Sequence, residues 1–266
     1  MTVARLFFCG LLTCAVAVAA CAPKAPALPT GPGVPLPDAA ALYDQATAAC
    51  RGIQTYSAVL ALSGRAGDTR LRGRIEAGFA KPAKAVLIGV APFGRPLFVL
   101  TADGARGTLV LPRDERVLSD APAEQIIDAL AGVPLGADAL RTAISGCGLA
   151  TGRASGDGRA YGDTQASLSV SGNTVYLRRS GTQWVLMAET NGPLTVLYSD
   201  YANGRPTTIR LRSVVDGRVA SDLTLRASQV EINSPIDSTA FNPQIPEHAV
   251  PLTLEELRRA GPLGIS

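Results

Sequence analysis

Histidine is almost missing from this chain: His248 is the single one in 266 residues. That leaves no basis for imidazole acid–base chemistry or a His-rich metal site. Aromatic residues are 5% of the chain, and the one tryptophan, Trp184, reads as core rather than as a ligand platform. Charged residues are 18%, with a formal net charge of +3, so there is no electrostatic case for binding nucleic acid. One of those charges, Arg5, belongs to the leader described below, and what remains gives little steering toward anionic lipid or an acidic partner. No Gly-x-Ser-x-Gly elbow, P-loop or Cys/His metal spacing occurs. The carboxylate pair Asp114-Glu115, set between Pro112-Arg113 and Arg116, reads as a solvated turn. His248, in a Pro-rich tail, reads as exposed and idle. No catalytic residue, metal or cofactor is expected, and the chain looks more like a container than an enzyme.

What is present begins with an address label. Residues 1–20 carry one positive charge, Arg5, followed by an apolar run from Leu6 to Ala20 that is short for a membrane span and ends in small residues. The run closes on Val18-Ala19-Ala20-Cys21, which resembles a bacterial lipoprotein box, where the cysteine thiol receives a diacylglyceryl group. Ordinary cleavage at the adjoining Ala-x-Ala-like site is the other reading. Ala22 is not the aspartate that commonly retains lipoproteins in the inner membrane, so the resemblance implies sorting to the outer membrane. Cys9 and Cys14 leave with the leader and Cys21 is the lipid site, which leaves Cys50 and Cys147 as an even pair in an oxidising compartment. They are expected either to form one disulfide or to remain as two buried thiols.

Residues 21–37 are rich in Pro and Gly and read as an extended tether. Asp38 is placed to cap a helix through about Arg51, with Ala41, Leu42, Gln45, Ala46 and Ala49 on one face. From Thr55 the period becomes two. In Leu71–Phe79 the odd positions are apolar or small while Arg72, Arg74 and Glu76 take the even ones, the pattern of a half-buried antiparallel strand. Ala85–Val90 and Leu97–Leu100 are continuous apolar runs, expected to be strands covered on both sides. Two short helices follow, one from about Ser119 to Gly132 and one over Ala137–Ser145. Strands resume weakly near Gly156, Gly158 and Gly162 and then clearly to Ile232, with a bulge expected at Ser228 and Gln229. Residues 38–233 form one domain. Residues 234–266 are an extension holding a short helix with a Thr253–Glu256 capping box, an apolar anchor at Leu257 and a Gly261-Pro262 stop.

The expected fold is mostly β: a large antiparallel sheet of about eleven strands that closes, forms a sandwich, or curls and needs a cover, for which the two inserted helices are natural lids. Such a lid encloses either an aliphatic cavity fit for flexible acyl chains or a solid core, and periodicity alone leaves both open. The run Ala85–Leu100, with Ala91-Pro92-Phe93-Gly94 between two apolar strands, resembles the strand–loop–strand of the LolB outer-membrane lipoprotein receptors. So do Arg116–Asp120, Ile126–Leu130, Ala131–Leu135 and Leu140-Arg141 in order, and more weakly Gly181–Trp184 and Pro206–Leu211.

That resemblance to the LolA/LolB superfamily implies an open barrel with a helical lid around a hydrophobic cavity. It also implies reception of lipoproteins from a LolA-like carrier, acyl-chain binding, and insertion into outer-membrane lipid. The loop Pro92-Phe93-Gly94 matches the family's membrane-insertion loop, with Phe93 in the place of an exposed leucine. The expected cavity wall is Leu71, Ile75, Phe79, Leu87, Leu97, Val99, Ile209, Leu211, Leu223 and Leu225. The expected lid residues are Ile126, Ile127, Leu130, Leu140 and Ile144. The chain is expected to act as a monomer. A structural envelope lipoprotein with a filled core, or a carrier of another lipid or glycolipid, would show a similar sequence.

Overall fold

The computed structural model describes residues 26–91, 96–150 and 152–261. Strand β1 (Val34–Leu36) precedes helix α1 (Ala39–Thr47), which runs into a 3-10 turn ending at Cys50. A first meander follows: β2 (Thr55–Ala66), β3 (Thr69–Ala80), β4 (Lys84–Val90), β5 (Pro96–Asp103), β6 (Arg106–Leu111) and β7 (Arg116–Pro122). Helices α2 (Ala123–Ala131) and α3 (Ala137–Ile144) interrupt it. A second meander comprises β8 (Ala154–Tyr161), β9 (Gln165–Val170), β10 (Asn173–Ser180), β11 (Gln183–Asn191), β12 (Leu194–Ala202), β13 (Arg205–Val215) and β14 (Arg218–Ile232). The tail adds β15 (Val250–Pro251) and α4 (Leu254–Ala260).

All fifteen strands of the described residues belong to one sheet, ordered β1, β8 through β14, β2 through β7, then β15. Neighbours are antiparallel throughout except β15, which lies parallel to β7. The two meanders join where β14 pairs along the length of β2, and the sheet stays unclosed, with β1 and β15 at its edges. The fold is therefore the mostly-β, lidded open sheet expected, with more strands than anticipated. Two strands went unforeseen and one was only weakly marked. Val34–Leu36, the end of the Pro/Gly-rich stretch, pairs with β8. Strand β8 itself is masked by its glycines, and one of them has a packing reason: a Cβ on Gly158 would stand 2.1 Å from that of Ala39, so glycine is what lets α1 settle on the sheet. The third is β15.

Alternation decides the two faces. On β2, Tyr56, Ala58, Leu60 and Leu62 point inward; on β3, Leu71, Ala77 and Phe79 do. The change of phase in β14 is a bulge, with the register shifting between Ser228 and Glu231 and Gln229 at φ +51°. Helix α1 covers the inner face of β8–β11, while α2 packs on β6 and β7 and α3 on β4. The buried stripe of α1 is Ala39 and Tyr43, flanked by Leu42 and Ala46; Ala41, Gln45 and Ala49 are exposed, a correction of three of the five positions in the expected stripe. Asp38 occupies the N-cap position without a capping side-chain bond.

The C-terminal extension wraps the first meander. Asn233 accepts the Gln54 N–H and donates to the Gly52 carbonyl. Ile236 and Val86 converge over Gly78 on the outer face, which explains why β4 is apolar on both sides. The Thr253–Glu256 capping box forms, Leu257 is buried, and α4 packs against α2.

Candidate functional site

Between the sheet and α2–α3 lies a hollow of about 70 Å³ whose lining is apolar at every position. The sheet contributes Leu60, Leu62, Ile75, Leu87, Phe98, Leu100, Leu211, Leu223 and Leu225, and the lid contributes Ile127, Leu130, Ala131, Val133, Leu140 and Ile144. An engineered apolar cavity of about 150 Å³ admits a benzene molecule, so this hollow is closed to anything as large as an acyl chain until the lid moves.

Several expected wall residues are placed elsewhere. Leu71, Phe79 and Ile209 are buried on the same inner face but beyond the hollow; Leu71 pairs with Gly64 toward one strand end and Phe79 packs on Tyr56, ring centroids 6.5 Å apart. Ile126 is fully buried in the core, near Gly107, rather than over the hollow. Leu97 and Val99 are corrected by strand register: Leu100 pairs with Leu87 and Phe98 with Gly89, so these point inward and Val99 faces out beside Ile88. A continuous apolar run hides that phase, because both faces are written in the same residue types. The alternation of β2 would have identified Leu60 and Leu62.

Phe98 has a specific seat. A Cβ on Gly89 would meet the Phe98 ring at 2.2 Å, so the ring lies flat across the neighbouring strand only because residue 89 is glycine. Behind it is a second cavity of about 190 Å³, roofed by α4 through Leu257 and Ala260 and lined also by Leu97, Leu111, Asp114, Arg116, Leu252 and Glu256. The two spaces share Phe98 and Leu130 as a common wall. At the rim of the second, Arg116 donates to Glu256 and to the Pro251 carbonyl. Glu256 is held at a pKa of about 2 by the Thr253 N–H and hydroxyl and by Arg116.

The far end of the lid is fastened to the α1 segment and to the second meander. Cys147, just past α3, is bonded to Cys50, with Cα atoms 5.7 Å apart. Arg205 donates to the carbonyls of both Ala49 and Ser145. Glu189, 1% exposed, accepts the Leu149 N–H and the Asn173 side-chain amide. Burial raises the Glu189 pKa, offset in part by hydrogen bonds from Leu149, Asn173 and Ala150. Tyr43 of α1 donates to the Ala150 carbonyl. At the other end of the lid, Ser221 donates to the Gly132 carbonyl, just past α2.

Among the described residues no group of three His, Cys, Asp or Glu side chains is placed to hold a metal ion, and no helix is long and apolar enough to cross a membrane. Cys21 and the loop Pro92-Phe93-Gly94 lie outside the described residues.

No family model matches the sequence, and no curated protein matches it. Solved structures do. A LolA superfamily protein from Nitrosomonas europaea superposes with a TM-score of 0.50 at 12% identity, over 75% of this chain and 95% of that one. An outer membrane lipoprotein-sorting protein domain from Vibrio parahaemolyticus gives 0.43 at 10% identity, over 78% and 97%. The lipoprotein LppX from Mycobacterium tuberculosis gives 0.33 at 12% identity, over 76% and 98%. The chain has a LolA/LolB-like fold.

Proposed function

We propose that this chain is a lipid-anchored, non-enzymatic receptor of the bacterial envelope. In this reading it accepts lipoproteins from a LolA-like periplasmic carrier by their acyl chains and releases them into the outer membrane. The observation that carries the reading is the wholly apolar hollow under a two-helix lid. The lipobox ending in Cys21 supports anchoring, and the resemblance of Ala85–Leu100 and the following blocks to the LolB receptors supports the class of cargo.

Transfer without a nucleotide must be driven by differences in burial. Burying a sixteen-carbon chain contributes about 12 kcal/mol at about 0.8 kcal/mol per CH₂. The burial of the four lid side chains Ile127, Leu130, Leu140 and Ile144 that line the hollow is worth about 6–12 kcal/mol together, at about 1.5–3 kcal/mol each. One acyl chain and the lid are thus comparable occupants, and because acyl chains are buried in carrier, receptor and bilayer alike, small differences in burial among the three set the direction of transfer.

The test is deposition of a triacylated lipoprotein from a carrier into liposomes. Leu211→Trp, which fills the hollow, is expected to abolish acceptance while leaving the fold intact, and Phe93→Glu to block release. Undiminished transfer by Leu211→Trp would overturn the reading. The small volume of the closed hollow favours a second reading, a structural lipoprotein with a packed interior; acquisition of cargo by the wild-type chain in the same assay decides against it.

A further inference from the structure

The outer face of the sheet, opposite the lid, carries a concentration of charge that the sequence disperses over some 160 residues. Register places β13, β14, β2 and β3 side by side in three cross-strand rows. The first reads Arg212, Asp222, Arg65, Arg70; the second Arg210, Thr224, Ser63, Arg72; the third Thr208, Arg226, Ala61, Arg74. Seven of these twelve positions are arginine and one is acidic, a local excess of six positive charges in a chain whose formal net charge is +3. At ordinary strand and residue spacings the grid covers roughly 14 by 13 Å.

Internal pairing neutralises only part of it. Arg210 makes two hydrogen bonds to Asp222, Arg74 reaches Glu76 at 3.0 Å, and Arg65 reaches Asp68 at 4.0 Å. Arg70, Arg72, Arg212 and Arg226 are exposed and have no carboxylate within 4.0 Å among the described residues. Arg65 and Arg70 stand directly opposite one another, a like-charge pairing that disfavours the sheet. The grid contains no lysine; guanidinium forks interspersed with Ser63, Thr208 and Thr224 hydroxyls suit multidentate contact with phosphate oxygens.

We propose that this face docks on an anionic phospholipid surface. A membrane is favoured over an acidic protein by the tether: with Cys21 lipidated, the twelve residues between it and Val34 hold the sheet within about 40 Å of the bilayer. Docked this way, the lid and hollow face away from the bilayer. The proposal stands on the register of four strands and does not require that the hollow bind cargo.

The test uses the mature chain with Cys21→Ser, so that no anchor masks the contact, in co-sedimentation with vesicles. Binding to phosphatidylglycerol–phosphatidylcholine vesicles, absent with phosphatidylcholine alone and lost at high salt, is expected. Replacing Arg70, Arg72, Arg212 and Arg226 together by threonine is expected to lower binding by several hundredfold, at about fivefold per arginine near the surface. Replacing the same four by lysine, which keeps the charge, retains most of it and serves where the threonine variant does not fold. Equal binding to neutral vesicles, salt-independent binding, or a threonine variant that binds like wild type overturns the proposal. So does binding to polyglutamate with none to anionic vesicles, which would assign the face to an acidic protein.

Discussion

Removing the Cys50–Cys147 bridge, as Cys50→Ala with Cys147→Ala, has a magnitude that follows from its position. The cysteines are 97 residues apart and join the end of the first helical segment to the end of the lid. In the chain-entropy model a loop of about a hundred residues is worth about 4.7 kcal/mol, through the freedom it denies the unfolded chain. Whole domains have about 5–15 kcal/mol of net stability, so the variant should lose a third or more of it. The native state itself should change little, because Arg205, Glu189 and Tyr43 still hold residues 145–150 in place. Urea unfolding read by Trp184 fluorescence and by far-UV circular dichroism checks this. The midpoint should fall, and the denaturant slope should rise because the unlinked unfolded chain exposes more surface. Reducing the wild type should reproduce the shift. A loss below about 1 kcal/mol with an unchanged slope would refute the account.

Two further outcomes are expected. Glu189 has its pKa raised in the folded state, so its contribution to stability is fully present below the unfolded carboxyl value of about 4.3 and is lost as pH rises through the folded value. Glu189→Gln should therefore lose the decline in urea midpoint that this group imposes from about pH 4.3 upward; identical pH profiles for variant and wild type would show that residue 189 carries no such effect. Gly89→Ala should cost about 1–3 kcal/mol by driving the Phe98 ring off its seat, with a lowered thermal midpoint as readout; an unchanged midpoint would mean the ring yields freely.

The fold was legible where one side of a strand is wet. Arg72, Arg74 and Glu76 against Leu71, Ile75 and Phe79 fix the face of β3, and the phase change at Ser228–Gln229 fixes a bulge. Where both sides are covered, as in Leu97–Leu100, the alternation vanishes and Phe98 and Val99 exchange roles. Helix α1 failed for a related reason: alanines on both sides of Tyr43 leave the stripe nearly degenerate. Of the five expected lid residues, Ile127, Leu130, Leu140 and Ile144 line the hollow and Ile126 does not. The arginine rows could not be read along the chain, since they arise from cross-strand pairs such as Arg226 with Ala61.

An unfinished sheet of this width exposes two ladders of free backbone groups, and either could recruit a neighbouring molecule into a fibre. Both outermost rungs here contain an imino acid. On β15, Val250 and Leu252 turn their N–H groups inward to the Glu115 and Val117 carbonyls, so the donor that Pro251 lacks is the outward one. On β1, Pro35 leaves a gap of the same kind. Where β1 and β15 stand, a neighbouring copy meets a rung short of a donor, which weakens edge-to-edge growth at those positions.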